Sequence, residues 1–241
     1  MTYVIADIHG CYKEFWELLH KISFCDDDEL FVLGDAMDRG QEPVKVIQDL
    51  MNRPNVTYIM GNHDDMMLQA LKKLAVDVIE ANLLDLTDDV FSSYYRWLQE
   101  GGAITAKQFQ LLSHEERADI LDYLESASPY EMIEYEGNLY ILVHAGIQNF
   151  DSTKELDEYH YTEFLWERMD YSRRYYPSDR IFLVTGHTPT ALIRDDKLPL
   201  VYKGNGHIAI DCGCVFGGNL AAYCIENGSI TYVASQPPNR D

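Results

Sequence analysis

Apolar residues along this chain fall into short blocks that end abruptly in polar clusters. Runs at 3–6, 30–33, 56–60, 139–143 and 181–184 are rich in β-branched and aromatic side chains, which predicts strands buried on both faces. Between several of them the spacing changes to that of a helix. Phe15, Leu18, Leu19 and Ile22 predict one amphipathic helix, Phe91, Tyr94, Tyr95 and Leu98 another, and Met67, Leu71, Leu74, Ala75 and Val78 form a further stripe. Gly101 and Gly102 are expected to stop a helix, and Ser113 with Glu116 is a capping-box pattern opening the next, through Ile120, Leu121 and Leu124. The last third returns to strands at 207–211, 220–226 and 229–233, with Asn227-Gly228 as the hairpin turn between the last two. No Pro, Gly or Ser-rich linker and no internal repeat divides the chain. The pattern therefore predicts one α/β domain over 1–241, with a helical insertion near 65–129 and a loose tail after Ser235.

Each of the five apolar runs ends in side chains able to bind metal or phosphate. The clusters are Asp7-Ile8-His9-Gly10, Gly34-Asp35-Ala36-Met37-Asp38-Arg39-Gly40, Gly61-Asn62-His63-Asp64, His144-Ala145-Gly146 and Gly186-His187-Thr188. Ligands in open α/β sheets bind beyond the carboxyl ends of strands, so clusters this far apart in sequence are expected to converge on one site. A lone His after a strand is usually a hydrogen-bonded structural residue, but five strand ends with His, Asp or Asn beside Gly make that account improbable for the set. An extended backbone would point Asp7 and His9 to one side as half of a metal cage, while Asp35 could bridge two cations with its two oxygens. Asn62, His144 and His187 supply a second set. An oxygen and imidazole shell without thiolate suits manganese, iron, magnesium or zinc.

Composition narrows the classes. The chain has 241 residues, 46% hydrophobic and 24% charged, as expected of a folded globular protein rather than a fibrous or disordered one. Its formal charge of −21 should attract cations and repel a bare phosphate backbone, so nucleic acid is not an expected partner. No apolar run approaches the eighteen or so residues of a membrane span, and Asp7 interrupts the place of a signal peptide, so neither export nor anchoring is expected. Five cysteines, an odd number, fit reduced thiols and a cytoplasmic location. Cys212 and Cys214 lack zinc-site spacing and are expected as small buried hydrophobes on a strand, and the acidic run 26–29 as a solvated turn.

Together the clusters resemble those of the calcineurin-like metallophosphoesterases, in the phosphoprotein phosphatase branch with D-x-H-G, G-D-x-x-D-R-G, G-N-H-[ED], H-A/G-G and G-H-T. The Cys-Val-Phe-Gly-Gly at 214–218 resembles the bacterial and phage members. The resemblance implies a sandwich of two mixed β-sheets flanked by helices. It also implies two metal sites, Asp7, His9 and Asp35 resembling the first set and Asp35, Asn62, His144 and His187 the second. Manganese is the leading expectation for both ions. By the same resemblance His63, paired with Asp38, protonates the leaving oxygen, while Arg39 and Asn62 hold phosphate, and a metal-bridging hydroxide attacks phosphorus in line. Arg168, in a Trp-x-Arg element of phage type, is a second phosphate clamp or else a surface salt bridge. The chain departs from the family pattern at Ala6, at Ala36 and Met37, at Asp64 where Glu is usual, and at Met60, where protein phosphatases often carry Arg.

The leading expectation is a metal-dependent phosphomonoesterase acting on phosphoserine or phosphothreonine, with phosphotyrosine a further option, in a phosphoprotein or a small phosphorylated molecule. The alternative is a symmetrical diadenosine tetraphosphate hydrolase, against which the acidic composition argues for lack of a basic cleft. A non-catalytic binding protein on the same scaffold ranks last, because every ligand position is filled.

Overall fold

Alternate residues of the first strand, β1 (Thr2–Ile5), take opposite directions: Val4 enters the space between two sheets, and Ile5 packs under helices. The same division separates Tyr140 and Leu142 from Ile141 and Val143 on β5 (Asn138–Val143). Both faces are apolar because both are covered, which is why these strands read as continuous runs rather than alternating ones.

The computed structural model describes residues 1–80 and 88–236, with side chains at 1–72 and 92–236. The first mixed sheet has the order β10-β9-β1-β2-β3, built from β2 (Glu29–Val32), β3 (Val56–Tyr58), β9 (Asn219–Cys224) and β10 (Ile230–Ala234) around β1. The three strands β1, β2 and β3 run parallel, while β9 and β10 are antiparallel additions. The second sheet has the order β4-β5-β6-β8-β7, from β4 (Tyr130–Tyr135), β5, β6 (Ile181–Thr185), β7 (Tyr202–Gly204) and β8 (His207–Ala209), with β5, β6 and β8 parallel. The fold is thus the expected α/β sandwich of two mixed sheets flanked by helices. Between the sheets pack Val4, Leu33 and Ile59 against Leu142, Val184 and Ile208. Each such side chain contributes about 1.5–3 kcal/mol when fully buried.

Helices α1 (Tyr12–Lys21) and α2 (Pro43–Met51) cover the outer face of the first sheet with Phe15, Leu18, Val46, Ile47 and Leu50. The second of these was not anticipated, although Pro43 in its first turn is a helix-start signal. Among the described residues four helices follow β3: α3 (Asn62–Glu80), α4 (Asp88–Trp97), α5 (Ala103–Phe109) and α6 (His114–Glu125). The capping box opening α6 is present, Ser113 accepting from the Glu116 N–H and Glu116 from the Ser113 N–H. Leu74, Ala75, Val78 and Phe91 of the expected stripes lie outside the described side chains.

Three local expectations are corrected. Gly101 and Gly102 kink the chain rather than stop it. A π-type turn at Leu98–Gly102 carries Gly101 at φ 115°, and helix resumes at Ala103, because the chain wraps around Arg39 there. The last hairpin closes through a longer loop than Asn227-Gly228 alone, with the Gly228 N–H donating to Cys224 O at 2.9 Å and the Cys224 N–H to Ser229 O at 3.0 Å. Cys214 is buried as expected, but in a short turn, Cys214–Phe216, rather than a strand. Asp28, from the acidic run, is tied to the amino terminus at 2.7 Å. No helix among the described residues is long and apolar enough to cross a membrane. A last short helix, α7 (Thr190–Ile193), follows β6 and borders the site.

Candidate active site

Because β1, β2 and β3 are parallel in one sheet and β5 and β6 in the other, their carboxyl ends deliver Asp7, His9, Asp35, Asn62, His144 and His187 to one edge of the sandwich. The two sheets are stitched together there. The His187 N–H donates to Asp7 Oδ2 at 2.9 Å, and His144 Nδ1 meets Leu33 O at 2.7 Å.

The loops that carry these groups are not extended, which corrects the picture of Asp7 and His9 on a straight strand. Strand β1 ends at Ile5, and Asp7, His9, Asp35, Asp38, Arg39 and His187 have φ between 44° and 68°. That left-handed conformation costs free energy for residues with a side chain and persists where surrounding bonds hold it. Here the His9 and Gly10 N–H groups donate to Asp35 O and Ala36 O, each at 2.9 Å, so the first two loops lock one another. Gly61 lies so close under Asp35 that an added Cβ would sit 2.2 Å from Asp35 Oδ1 and 2.5 Å from Asp35 N. Gly61→Ala is therefore expected to cost about 3 kcal/mol of stability, read as a lower urea midpoint, and to reduce metal binding with it.

Two donor groups share one carboxylate. His9, Asp35 and His63 have donor atoms mutually within 4.8 Å, and so do Asp35, His144 and His187. Nδ1 of His9 is bonded to Met37 O at 2.8 Å and Nδ1 of His144 to Leu33 O, which makes both nitrogens donors and leaves both Nε2 atoms as lone pairs facing the cluster. Nε2 of His9 stands 3.5 Å and that of His144 3.6 Å from Asp35 Oδ2. Asn62 Oδ1 lies 2.9 Å from His144 Nε2 and 3.0 Å from His187 Nδ1. Electron-pair donors thus face one another across a buried space, and a cation is the natural resolution. His63 joins the first group where the sequence suggested Asp7, which lies beside it with Oδ2 held by the His187 N–H.

The electrostatics agree. Burial pushes Asp7 well above the ordinary carboxylate range, with Asp211 and Asp35 adding repulsion, and burial raises Asp211 to about 6. Burial pushes His9 down to about 3 and, helped by His144, His187 to about 3, while His144 is also lowered by burial. Burial would raise Asp35 too, but the imidazoles of His144, His63 and His9 outweigh it and hold it low. Neutral imidazoles around an excess of buried carboxylates fit divalent ions. The guanidinium of Arg39 itself reaches into this cluster, Nη1 2.6 Å from His9 Nε2 and Nη2 2.7 Å from His63 Nε2.

His63 Nδ1 bonds Asp38 Oδ2 at 2.8 Å, the expected pair. Burial lowers the pKa of His63, but Asp35 and the bond to Asp38 outweigh it and leave a net rise. Sequence reasoning missed what holds Asp38. Trp97 Nε1 donates to Asp38 Oδ2 at 2.9 Å, Thr105 Oγ1 to Asp38 Oδ1 at 2.6 Å, and both residues are fully buried. They come from α4 and α5, so the helices between β3 and β4 reach the His63–Asp38 pair directly. Trp97→Phe keeps the packing and loses the bond. It is expected to slow hydrolysis of phenyl phosphate about fivefold, equivalent to ~1 kcal/mol, with a smaller loss on p-nitrophenyl phosphate and unchanged metal content.

Asp64, a methylene shorter than the usual Glu, still reaches its partners. Its Oδ2 accepts from Asp35 N at 3.1 Å, Gly61 N at 2.9 Å and Tyr58 Oη at 2.8 Å. Burial, then Asp35, raises its pKa to about 7. Asp211 was a second omission. It follows β8 as the other site residues follow their strands, and the run Ile208-Ala209-Ile210-Asp211 carried the same signal.

A cleft of about 530 Å³ opens over this cluster. It is lined by Asp35, Asn62, His63, His187 and Asp211, by Arg39 and Arg168, and by the apolar Trp166, Leu192 and Phe216. Arg168 thus lines the cleft together with Arg39. The basic groups absent from the total charge are present locally.

Comparison with known proteins agrees with this geometry. The chain is 27% identical over 263 residues to the asymmetrical bis(5′-nucleosyl)-tetraphosphatase PrpE of Bacillus velezensis, covering 98% of this chain and 93% of that one. It is 28% identical over 280 residues to a symmetrical bis(5′-nucleosyl)-tetraphosphatase of Buchnera aphidicola subsp. Schizaphis graminum, covering 98% of each. A crystal structure provisionally described as a diadenosine tetraphosphatase superposes with a TM-score of 0.63 at 20% identity, over 98% of this chain and 93% of the other, and shares the fold. The calcineurin-like phosphoesterase profile matches residues 2–235, spanning every strand of the described residues and all five strand-end clusters, and the chain belongs to that family.

Proposed function

We propose that the chain is a metal-dependent bis(5′-nucleosyl)-tetraphosphate hydrolase of the asymmetrical kind, taking diadenosine tetraphosphate and water to ATP and AMP. The observation that carries this reading is that PrpE-type relatives align over nearly the whole length of both chains. The symmetrical reading is second, supported by the full-length Buchnera relative. The phosphoserine or phosphothreonine substrate favoured by the motifs alone falls behind both. The acidic composition was the objection to a polyphosphate substrate, and Arg39 and Arg168 in the cleft answer it.

In this reading Asp7, His9, Asp35, Asn62, His144 and His187 hold two divalent ions, manganese being the first expectation. Such ions supply activation of water and neutralisation of charge developing on phosphate oxygens. The protein does the rest. Arg39 and Arg168 grip non-reacting phosphate oxygens and set the line of attack. His63, oriented by Asp38, delivers a proton from Nε2 to the departing oxygen. The neutral His9 and His144, each anchored by a backbone carbonyl, keep their lone pairs fixed on the ion sites.

The test is chromatography of products from diadenosine tetraphosphate with the manganese-loaded protein. ATP with AMP is the expected result, and two ADP would move the assignment to the symmetrical class. Turnover of a phosphoserine peptide without turnover of the dinucleotide would overturn both.

A further inference from the structure

The protein carries a formal charge of −21, yet exposed apolar side chains line the cleft beside the proposed metal-binding residues. Phe216 is 65% exposed, Leu192 63% and Trp166 40%, and all three line the same cleft as Asp35, His63 and His187. Exposed apolar side chains scattered singly need no explanation, but three lining one cleft with a cluster of charged and imidazole groups mark a binding surface. Their placement is specific. The Trp166 ring centre lies 6.3 Å from that of His187, in an edge-on arrangement, while Phe216 lies 5.4 Å from the Arg39 guanidinium, which in turn contacts His9 and His63. One aromatic ring therefore flanks each donor group. Each also has an arginine over it, Arg39 at Phe216 and Arg96 at Trp166, the latter at 5.2 Å.

We propose that Trp166, Leu192 and Phe216, exposed in this cleft, provide a nucleobase subsite that stacks the base of the nucleotide whose phosphates lie over the proposed metal-binding residues. This rests on the nucleotide reading given above and adds the residues that would read the base. A flat, π-faced ring carrying a phosphate chain matches such a cleft, where aromatic and aliphatic side chains stand next to two arginines and the donor groups. A phosphopeptide would not require two exposed rings beside the phosphate site. Stacking accounts for an exposed Phe beside a guanidinium, since a base can lie on the ring while the cation holds the phosphates.

The experiment compares two ligands that differ only by the base. Dissociation constants of AMP and ribose 5-phosphate are measured by calorimetry on the manganese-loaded protein, for the wild type, Phe216→Ala, Trp166→Ala and the double variant. The wild type is expected to bind AMP about tenfold more tightly, a typical worth of one stacked base. That ratio should shrink in each single variant, fall to about twofold or less in the double variant, and return in Phe216→Tyr. Metal content, measured on the same samples, separates loss of the subsite from loss of the fold. Equal binding of the two ligands by the wild type, binding of neither, or a ratio unchanged in the double variant would overturn the proposal. The outcome is separable from the assigned activity: a base-dependent ratio without dinucleotide turnover would retain the subsite and reject the tetraphosphatase, and dinucleotide turnover without a base-dependent ratio would do the reverse.

Discussion

Replacing Asp35 by alanine is expected to lower turnover by at least about a thousandfold and to empty both ion sites at once. Asp35 is the one carboxylate that belongs to both donor groups, and it is fully enclosed by them. It also does structural work, since its Oδ1 accepts the His63 N–H at 3.0 Å and its own N–H is bound by Asp64. Loss of Asp35 should therefore show in stability as well as in rate. A ligand that binds only the folded chain adds about 4 kcal/mol at a thousandfold excess over its dissociation constant, so the wild type should melt higher with manganese than after chelation. The variant should show little of that difference. Metal analysis and thermal melts with and without manganese measure both effects. Two ions per chain with near-normal turnover would show that Asp35 is not the shared ligand.

A second large effect distinguishes two adjacent residues at the start of α3. Asn62 turns its Oδ1 toward His144 and His187, whereas His63 turns Nδ1 toward Asp38. If His63 protonates the departing oxygen, its loss should matter in proportion to the basicity of that oxygen. His63→Asn is expected to slow an alkyl phosphate by roughly 10²-fold or more, within the usual range of general acid catalysis, and p-nitrophenyl phosphate much less. A polyphosphate leaving group is also weakly basic, so the loss on diadenosine tetraphosphate should be small. Asp38→Asn should show the same bias more weakly, because the imidazole remains and only its orienting charge goes. Asn62→Ala should slow all substrates by similar factors and raise the manganese concentration needed. His63 also lies within the first donor group, so the result has a sharp alternative. Equal losses on every substrate, with depletion of metal, would make His63 a ligand instead of an acid.

Much of the site could be read before the fold was known, because its chemistry lies in short contiguous clusters. Asp7, His9, Asp35, Asn62, His144 and His187 each follow an apolar run, and strand ends are where such residues can meet. The supporting residues were less visible. Trp97 and Thr105 are an aromatic and a hydroxyl inside helical stretches, with nothing local to tell a hydrogen bond to Asp38 from ordinary packing. Asp211 carried the strand-end signal, but no histidine or asparagine beside it drew attention. The backbone at Asp7 and His9 was misjudged for another reason. A left-handed φ at a residue with a side chain is imposed by hydrogen bonds from the neighbouring loop, which spacing along one segment does not reveal.

Burial on both faces, the alternation between elements and the donor types at each strand end were properties of the sequence itself, since each depends on residues a few positions apart. The order of strands in two mixed sheets, the sharing of Asp35 between two donor groups, the Trp97 and Thr105 clasp on Asp38 and the aromatic flanks of the cleft were decided by tertiary structure alone. Those features join residues tens to well over a hundred positions apart, as His187 meets Asp7, and only the packing of one sheet on the other brings them within reach. Local pattern determines what each segment can bury or bind, and the closure of the sandwich determines which of those groups face one another.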